Sequence, residues 1–246
     1  LGCELIVTGH YARVEHNEET GRWELKKATF LEKDQSYVLY NLTQEQLARI
    51  RFPLGAMSKT DARVVAEEGG FKNAQKHESQ DICFVPTGKY TDFIEKYTGK
   101  TYPHGEFVDV RNGNVLGEHK GIIRYTVGQR KGLGLALPQP MYVTKVDPEA
   151  NKVYLGLNED LFTTTLYADD VNWISVPALR PGETLTVTAK VRYKQPDKPA
   201  TVVAMNDGRI RVVFDEPQRA ITKGQAVVLY DGDTVVGGGT ITEVEA

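Results

Sequence analysis

Cysteine is nearly absent from this chain: 246 residues hold two, Cys3 and Cys83. Two thiols so far apart make neither a disulfide framework nor a four-ligand zinc site. A reducing, cytoplasmic setting fits that scarcity. No histidine pair stands at metal-ligand spacing, so no metal site is expected. Long apolar runs are missing too, and none approaches the roughly 18 residues a membrane helix needs, so no membrane association is expected. No Walker A run and no Gly-x-Ser-x-Gly elbow occur, which removes P-loop and hydrolase readings. Excess charge of one sign is also lacking. The 30 Lys and Arg against 33 Asp and Glu leave a net −3, so any nucleic-acid binding must come from local basic patches. The opening Leu1-Gly2-Cys3-Glu4-Leu5-Ile6-Val7 lacks the basic region of a secretory signal. It also lacks an initiator Met and starts inside an apolar strand, so we expect a piece of a longer protein.

What is present is ordinary globular material, 40% hydrophobic and 26% charged, enough for one to three domains. Residues 4–8 read as a short buried strand, with the Gly9-His10-Tyr11 turn at its carboxyl end, where ligands gather in open α/β sheets. A hairpin follows, from Tyr11 to Glu15 and from Trp23 to Ala28 around a polar turn. Thr43 with Gln46 is a capping box for a helix to Arg51. Ser58 or Thr60 caps a second helix to Glu68, stopped by Gly69-Gly70. Thr87 or Gly88 opens a third, with Tyr90, Phe93, Ile94 and Tyr97 at helical spacing. From residue 100 the strands are short: Gly105–Val110, Gly121–Ile123, Met141–Asp147 and Lys152–Gly156, with a tight turn at Asn112-Gly113. A compositional break near Tyr167–Pro181 leads into an alternating all-β block. There, Thr184 to Lys194 alternates at period two, and four to six strands predict a small barrel. Three regions result: 1–87, 88–160 and 161–246.

Cys83 lies in Lys76-His77-Glu78-Ser79-Gln80-Asp81-Ile82-Cys83-Phe84-Val85-Pro86. Lys76 and His77 favour a thiolate, while Glu78 and Asp81 oppose it, so the residues alone leave core, idle and nucleophilic roles open. Cys3 reads as a core residue at the head of its strand. His10 is a structural hydrogen-bonding group or a catalyst, and Gly9 permits a sharp turn or a close ligand approach. Lys190, Arg192 and Lys194 share one strand face, either a phosphate track or a solvated edge. Residues 124–134, with three cations, three glycines and no acid, would suit close approach of RNA.

Taken in order, Thr8-Gly9-His10-Tyr11-Ala12-Arg13, Lys33-Asp34-Gln35-Ser36-Tyr37, Ser79-Gln80-Asp81-Ile82-Cys83-Phe84, residues 125–134 and Val191-Arg192-Tyr193 resemble the tRNA-specific 2-thiouridylases, the family called MnmA in bacteria. The resemblance covers essentially the whole chain. It implies an α/β remnant of an adenine-nucleotide α-hydrolase-like (ATP-pyrophosphatase) domain, a small mixed central domain and a C-terminal all-β barrel. It implies ATP, with Mg as counter-ion, adenylating C2 of a wobble uridine, and a persulfide on Cys83 then attacking that carbon. It places Gly9 near ATP, and His10, Lys33, Asp34, Gln35, Arg192, Tyr193 and Gln225 against tRNA. A sulfur-relay partner and a monomeric enzyme are implied as well. The family's Ser-Gly-Gly-x-Asp-Ser loop is absent, and so is its first catalytic cysteine; the fragment alone is expected to be inactive. A non-catalytic RNA-binding module and an ATP-pyrophosphatase enzyme with a small-molecule substrate are the alternative readings.

Overall fold

The computed structural model describes residues 2–71 and 90–245. In chain order, β1 (Ile6–Val7) leads to the hairpin β2 (Ala12–Asn17) and β3 (Arg22–Lys27), then α1 (Ser36–Leu39), α2 (Gln44–Arg49), β4 (Ile50–Arg51) and α3 (Lys59–Glu68). After α4 (Tyr90–Thr98) come β5 (Gly105–Asp109), β6 (Val115–His119), β7 (Tyr142–Asp147) and β8 (Lys152–Gly156). The chain closes with β9 (Phe162–Trp173), β10 (Thr184–Lys190), β11 (Lys198–Ala204), β12 (Ile210–Arg219), β13 (Ala226–Asp231) and β14 (Thr234–Val244).

The capping signals hold. Thr43 and Gln46 satisfy each other's backbone N–H groups at the start of α2, and Ser58 and Asp61 do the same for α3. The turn at Asn112-Gly113 holds as well, with Gly113 at positive φ between paired strands, and Gly208 and Gly232 take the same conformation between theirs. Other expectations fail. Ile6 and Val7 are 62% and 63% exposed: among the described residues β1 pairs only with β4, and while Ile50 of β4 packs on the core, β1 itself lies outside it. Cys3, just before β1, is exposed rather than core. Residues 122–124 form a 3-10 turn and not a strand, since Gly121 at φ 97° aims the chain away from extension. The compositional break read over Tyr167–Pro181 covers the second half of β9 and most of the loop that leads to β10.

Two compact units form, one joining the N-terminal segment with 164–217 and 222–246, the other holding the central segment through 163 with 218–221. In the first, β13-β10-β11-β12-β9-β14 close into a six-stranded barrel through β13 and β14. The β2–β3 hairpin extends that sheet from β14, in register at Thr234 and Lys26. One core serves both parts: Ala12, Leu25, Leu47 and Phe52 pack with Ile174, Val228, Tyr230 and Val235. N-terminal segments are thereby fixed against barrel strands far away in sequence.

The second unit is a four-stranded sheet ordered β6-β5-β8-β7, over Phe107, Tyr125, Val143, Val153 and Leu155. His119 is fully buried in it, edge-on to Phe107. Its Nδ1 accepts from the Gly121 N–H, so Nε2 carries the proton toward the Asn151 carbonyl at 3.2 Å. Burial pushes its pKa below the ordinary 6.5. Below that pH the unfolded chain takes up a proton that the fold refuses, so stability present above pH 6.5 is lost as pH falls toward the depressed native value. His16, raised by its bond to Glu18, works the other way but is exposed. We expect melting temperature to fall between neutral pH and pH 5, with the slope flattened in His119→Gln. A wild-type slope in that variant would show that other groups carry the dependence.

Candidate nucleic-acid interface

The loop between β3 and α1 is built around Asp34, which is 9% exposed. Its Oδ1 accepts from the N–H groups of Ala28 (3.0 Å) and Ser36 (3.1 Å), and its Oδ2 from the Ser36 hydroxyl at 2.8 Å. Ser36 Oγ in turn meets the hydroxyl of Tyr230, a fully buried barrel residue, at 3.2 Å. Gln35, next along, clamps the Gly9-His10-Tyr11 turn. Its N–H donates to the Tyr11 carbonyl (2.8 Å), and its Oε1 accepts from the Tyr11 N–H at 2.9 Å. His10 sits in that turn with Nδ1 2.9 Å from Thr8 Oγ1 and its ring edge-on to Phe52. Lys33 precedes the pair, its N–H bonded to the Phe30 carbonyl.

From the barrel side, Tyr37 Oη donates to the Ala226 carbonyl at 2.9 Å, beside the exposed Gln225. Burial pushes the Tyr37 hydroxyl up to about 12, so it remains a donor. The Tyr37 ring lies 6.2 Å from that of Tyr193, and Arg192 Nη2 donates to Thr222 Oγ1 at 2.9 Å. The Gln225 backbone is held between Thr222 and Ile241. His10, Gln35, Arg192, Tyr193 and Gln225 are therefore joined through Tyr11, Tyr37 and Thr222. Asp34 belongs to the same cluster as its buried support.

The alternating strand needs correction. β10 ends at Lys190, and residues 191–195 turn back toward β11, with the Gln195 N–H bonded to the Arg192 carbonyl. Ala189 pairs with Lys198 as the last rung, so Arg192, Tyr193 and Lys194 stand on a turn and not in a flat row. Tyr193, which period-two alternation would put on the face opposite Lys190, Arg192 and Lys194, is 39% exposed.

Sequence reasoning missed the layer beneath this face. Lys27 Nζ pairs with Asp197 Oδ1 at 3.0 Å and sits 4.4 Å from the Tyr230 ring centroid. Thr188 donates to Asp197 Oδ2 at 2.6 Å. Burial opposes ionisation of Asp197, but the Thr188 hydroxyl and Lys27 outweigh it and hold the carboxyl below its ordinary range. The alternation of Thr188 with Lys190 marked the strand; nothing local marked Asp197 as their partner.

Gly9 is exposed, and among the described residues a Cβ there would meet only Leu54 Cδ1 at 3.7 Å. Among the described residues, no three His, Cys, Asp or Glu side chains gather as metal ligands would. In the second unit, residues 126–134 form a loop whose Gly128, Gly132 and Gly134 all take positive φ. Gln129 braces it through Thr126 and Lys131, Leu133 is buried, and Arg130 and Lys131 are exposed. Cys83 lies outside the described residues.

Three family models match: a tRNA methyl transferase HUP domain over residues 1–87, a PRC-barrel domain of the same group over 91–157, and an aminomethyltransferase beta-barrel domain over 163–241. The tRNA-specific 2-thiouridylase MnmA of Clostridioides difficile is 50% identical over 98% of this chain, which spans 66% of that protein. Those of Halothermothrix orenii and Moorella thermoacetica are 49% and 50% identical over 99% of the chain, which spans 67% and 68% of them. This chain thus spans about two thirds of the length of its relatives, and with that extent of identity it belongs to the tRNA-specific 2-thiouridylase (MnmA) family.

Proposed function

We propose that this chain supplies the RNA-binding face and the persulfide cysteine of a tRNA 2-thiouridylase. The C2 oxygen of the wobble uridine attacks the α-phosphate of ATP, and pyrophosphate leaves. The terminal sulfur of a persulfide on Cys83 then attacks C2, and the oxygen departs with AMP. A second thiol, from the part of the relatives' length this chain does not span, attacks the Cys83 sulfur, breaks the S–S bond, and leaves a disulfide and 2-thiouridine. A terminal persulfide sulfur is a strong nucleophile needing little activation, so the mixed electrostatics around Cys83 do not argue against it. Gly9 leaves space for the nucleotide, with magnesium as its counter-ion, and a sulfur-relay protein loads Cys83. The protein acts as a cytoplasmic monomer. The 246 residues contain no Ser-Gly-Gly-x-Asp-Ser run, so by themselves they neither hold ATP tightly nor thiolate RNA.

The single observation that carries this reading is the convergence of residues 9–11, 34–37, 192–193 and 222–226 on one part of the first unit. Arg192 and Lys194 offer charge there, and Tyr193 an exposed ring, the pairing that suits single-stranded RNA. Arg192→Ala is expected to weaken tRNA binding about tenfold and to lower the salt slope by about one. Unchanged affinity across a salt series would remove the RNA assignment of this face.

A further inference from the structure

Lys190 is the last residue of β10. Its Nζ lies 5.7 Å from the ring centroid of Tyr37 and 5.7 Å from that of Tyr193, within reach of a cation–π contact with each. Tyr37 is immobilised, being 6% exposed and bonded through its hydroxyl to the Ala226 carbonyl. Tyr193 is 39% exposed and stands on the turn after the strand. The ammonium therefore bridges a ring fixed in the core to a ring that faces solvent. Burial lowers its pKa, with Lys27 acting the same way, and outweighs the carboxylates of Asp34 and Asp197, which favour the charge. A cation held in this way is poorly placed to neutralise a phosphate, unlike Lys194, which is exposed on the same turn.

Resting on the RNA-binding reading above, we propose that Lys190 is a positioning residue that sets the Tyr193 ring for stacking on an unpaired RNA base, and that it does not itself bind phosphate. The chemistry separates the two roles. Each lost phosphate contact lowers the salt slope of binding by about one, whereas a lost stacking platform lowers affinity at every salt concentration equally. Loss of stacking costs about tenfold in affinity per base.

The test uses the 246-residue chain, an unmodified tRNA transcript and fluorescence anisotropy across a salt series. Lys190→Met keeps the length of the stem and removes the charge. Binding is expected to weaken about tenfold with the salt slope unchanged, while Lys190→Arg, which restores a cation over the rings, stays within about twofold of wild type. Tyr193→Ala is expected to cost about tenfold in the wild-type background and little in Lys190→Met, since both remove one platform. A salt slope reduced by about one in Lys190→Met would make Lys190 a phosphate ligand and overturn the inference. So would unaltered affinity, or a full Tyr193→Ala loss in the Lys190→Met background. Should Lys190→Met lose its fold by circular dichroism, Lys190→Gln repeats the measurement with a donor retained and the charge removed. Absence of tRNA binding by the wild type would instead sink the functional reading itself, which Arg192→Ala tests separately.

Discussion

Asp34→Ala is expected to destabilise the first unit by about 3–5 kcal/mol and to lower its melting temperature by roughly 10 °C. The carboxylate is nearly buried and is the acceptor for two backbone N–H groups and one hydroxyl. Alanine leaves the Ala28 and Ser36 N–H groups without it, at about 1–3 kcal/mol each, and frees the Ser36 hydroxyl. It also removes the negative charge facing Lys190. Asp34→Asn should cost less, because its amide oxygen can still accept both N–H groups while its NH₂ faces the hydroxyl. Any weakening of tRNA binding in Asp34→Ala should follow the loss of fold and recover when temperature is lowered. A variant that melts like wild type yet binds RNA poorly would make Asp34 a direct contact, as the family resemblance implies, and not the support of its neighbours.

Asp34 also shows where sequence reading stops. Local signals were reliable where the cause was local: Thr43 and Ser58 cap helices because the N–H groups their hydroxyls accept from sit three residues away. Gly113, Gly208 and Gly232 turn the chain because a positive φ is needed there. Alternation along β10 marked a barrel strand because one face must be buried. What failed depended on distant partners. Strand β1 has the composition of a buried strand, but burial requires neighbours that its sequence does not specify. Tyr193 continues the period-two pattern, yet the strand ends at Lys190 because the chain must reverse into β11. The contact between Ser36 and Tyr230 joins residues 194 positions apart, and the single rung between Lys26 and Thr234 joins the hairpin to the barrel. No window of sequence contains either. For the candidate site, motif order pointed to the surface residues, and only the fold revealed the Lys27–Asp197–Thr188 layer beneath them.

The largest expected effect on activity falls on Cys83. In a protein of the relatives' full length, Cys83→Ser should reduce thiouridine formation at least a thousandfold while leaving tRNA affinity within about twofold. A serine hydroxyl cannot carry a sulfane sulfur, so no persulfide forms and the adenylated C2 has no sulfur nucleophile to receive. Adenylation itself does not use this thiol, so release of pyrophosphate on tRNA addition should persist. That split separates the enzyme from both alternatives. A non-catalytic RNA-binding module would release no pyrophosphate in either form. An enzyme acting on a small molecule would release it without tRNA, and Arg192→Ala would not alter the rate. Sulfur transfer that survives Cys83→Ser, measured as thiouridine by mass spectrometry of digested tRNA, would take the persulfide away from Cys83. The face assembled from His10, Gln35, Arg192, Tyr193 and Gln225 would stand as an RNA site, and the chemistry would belong to another thiol.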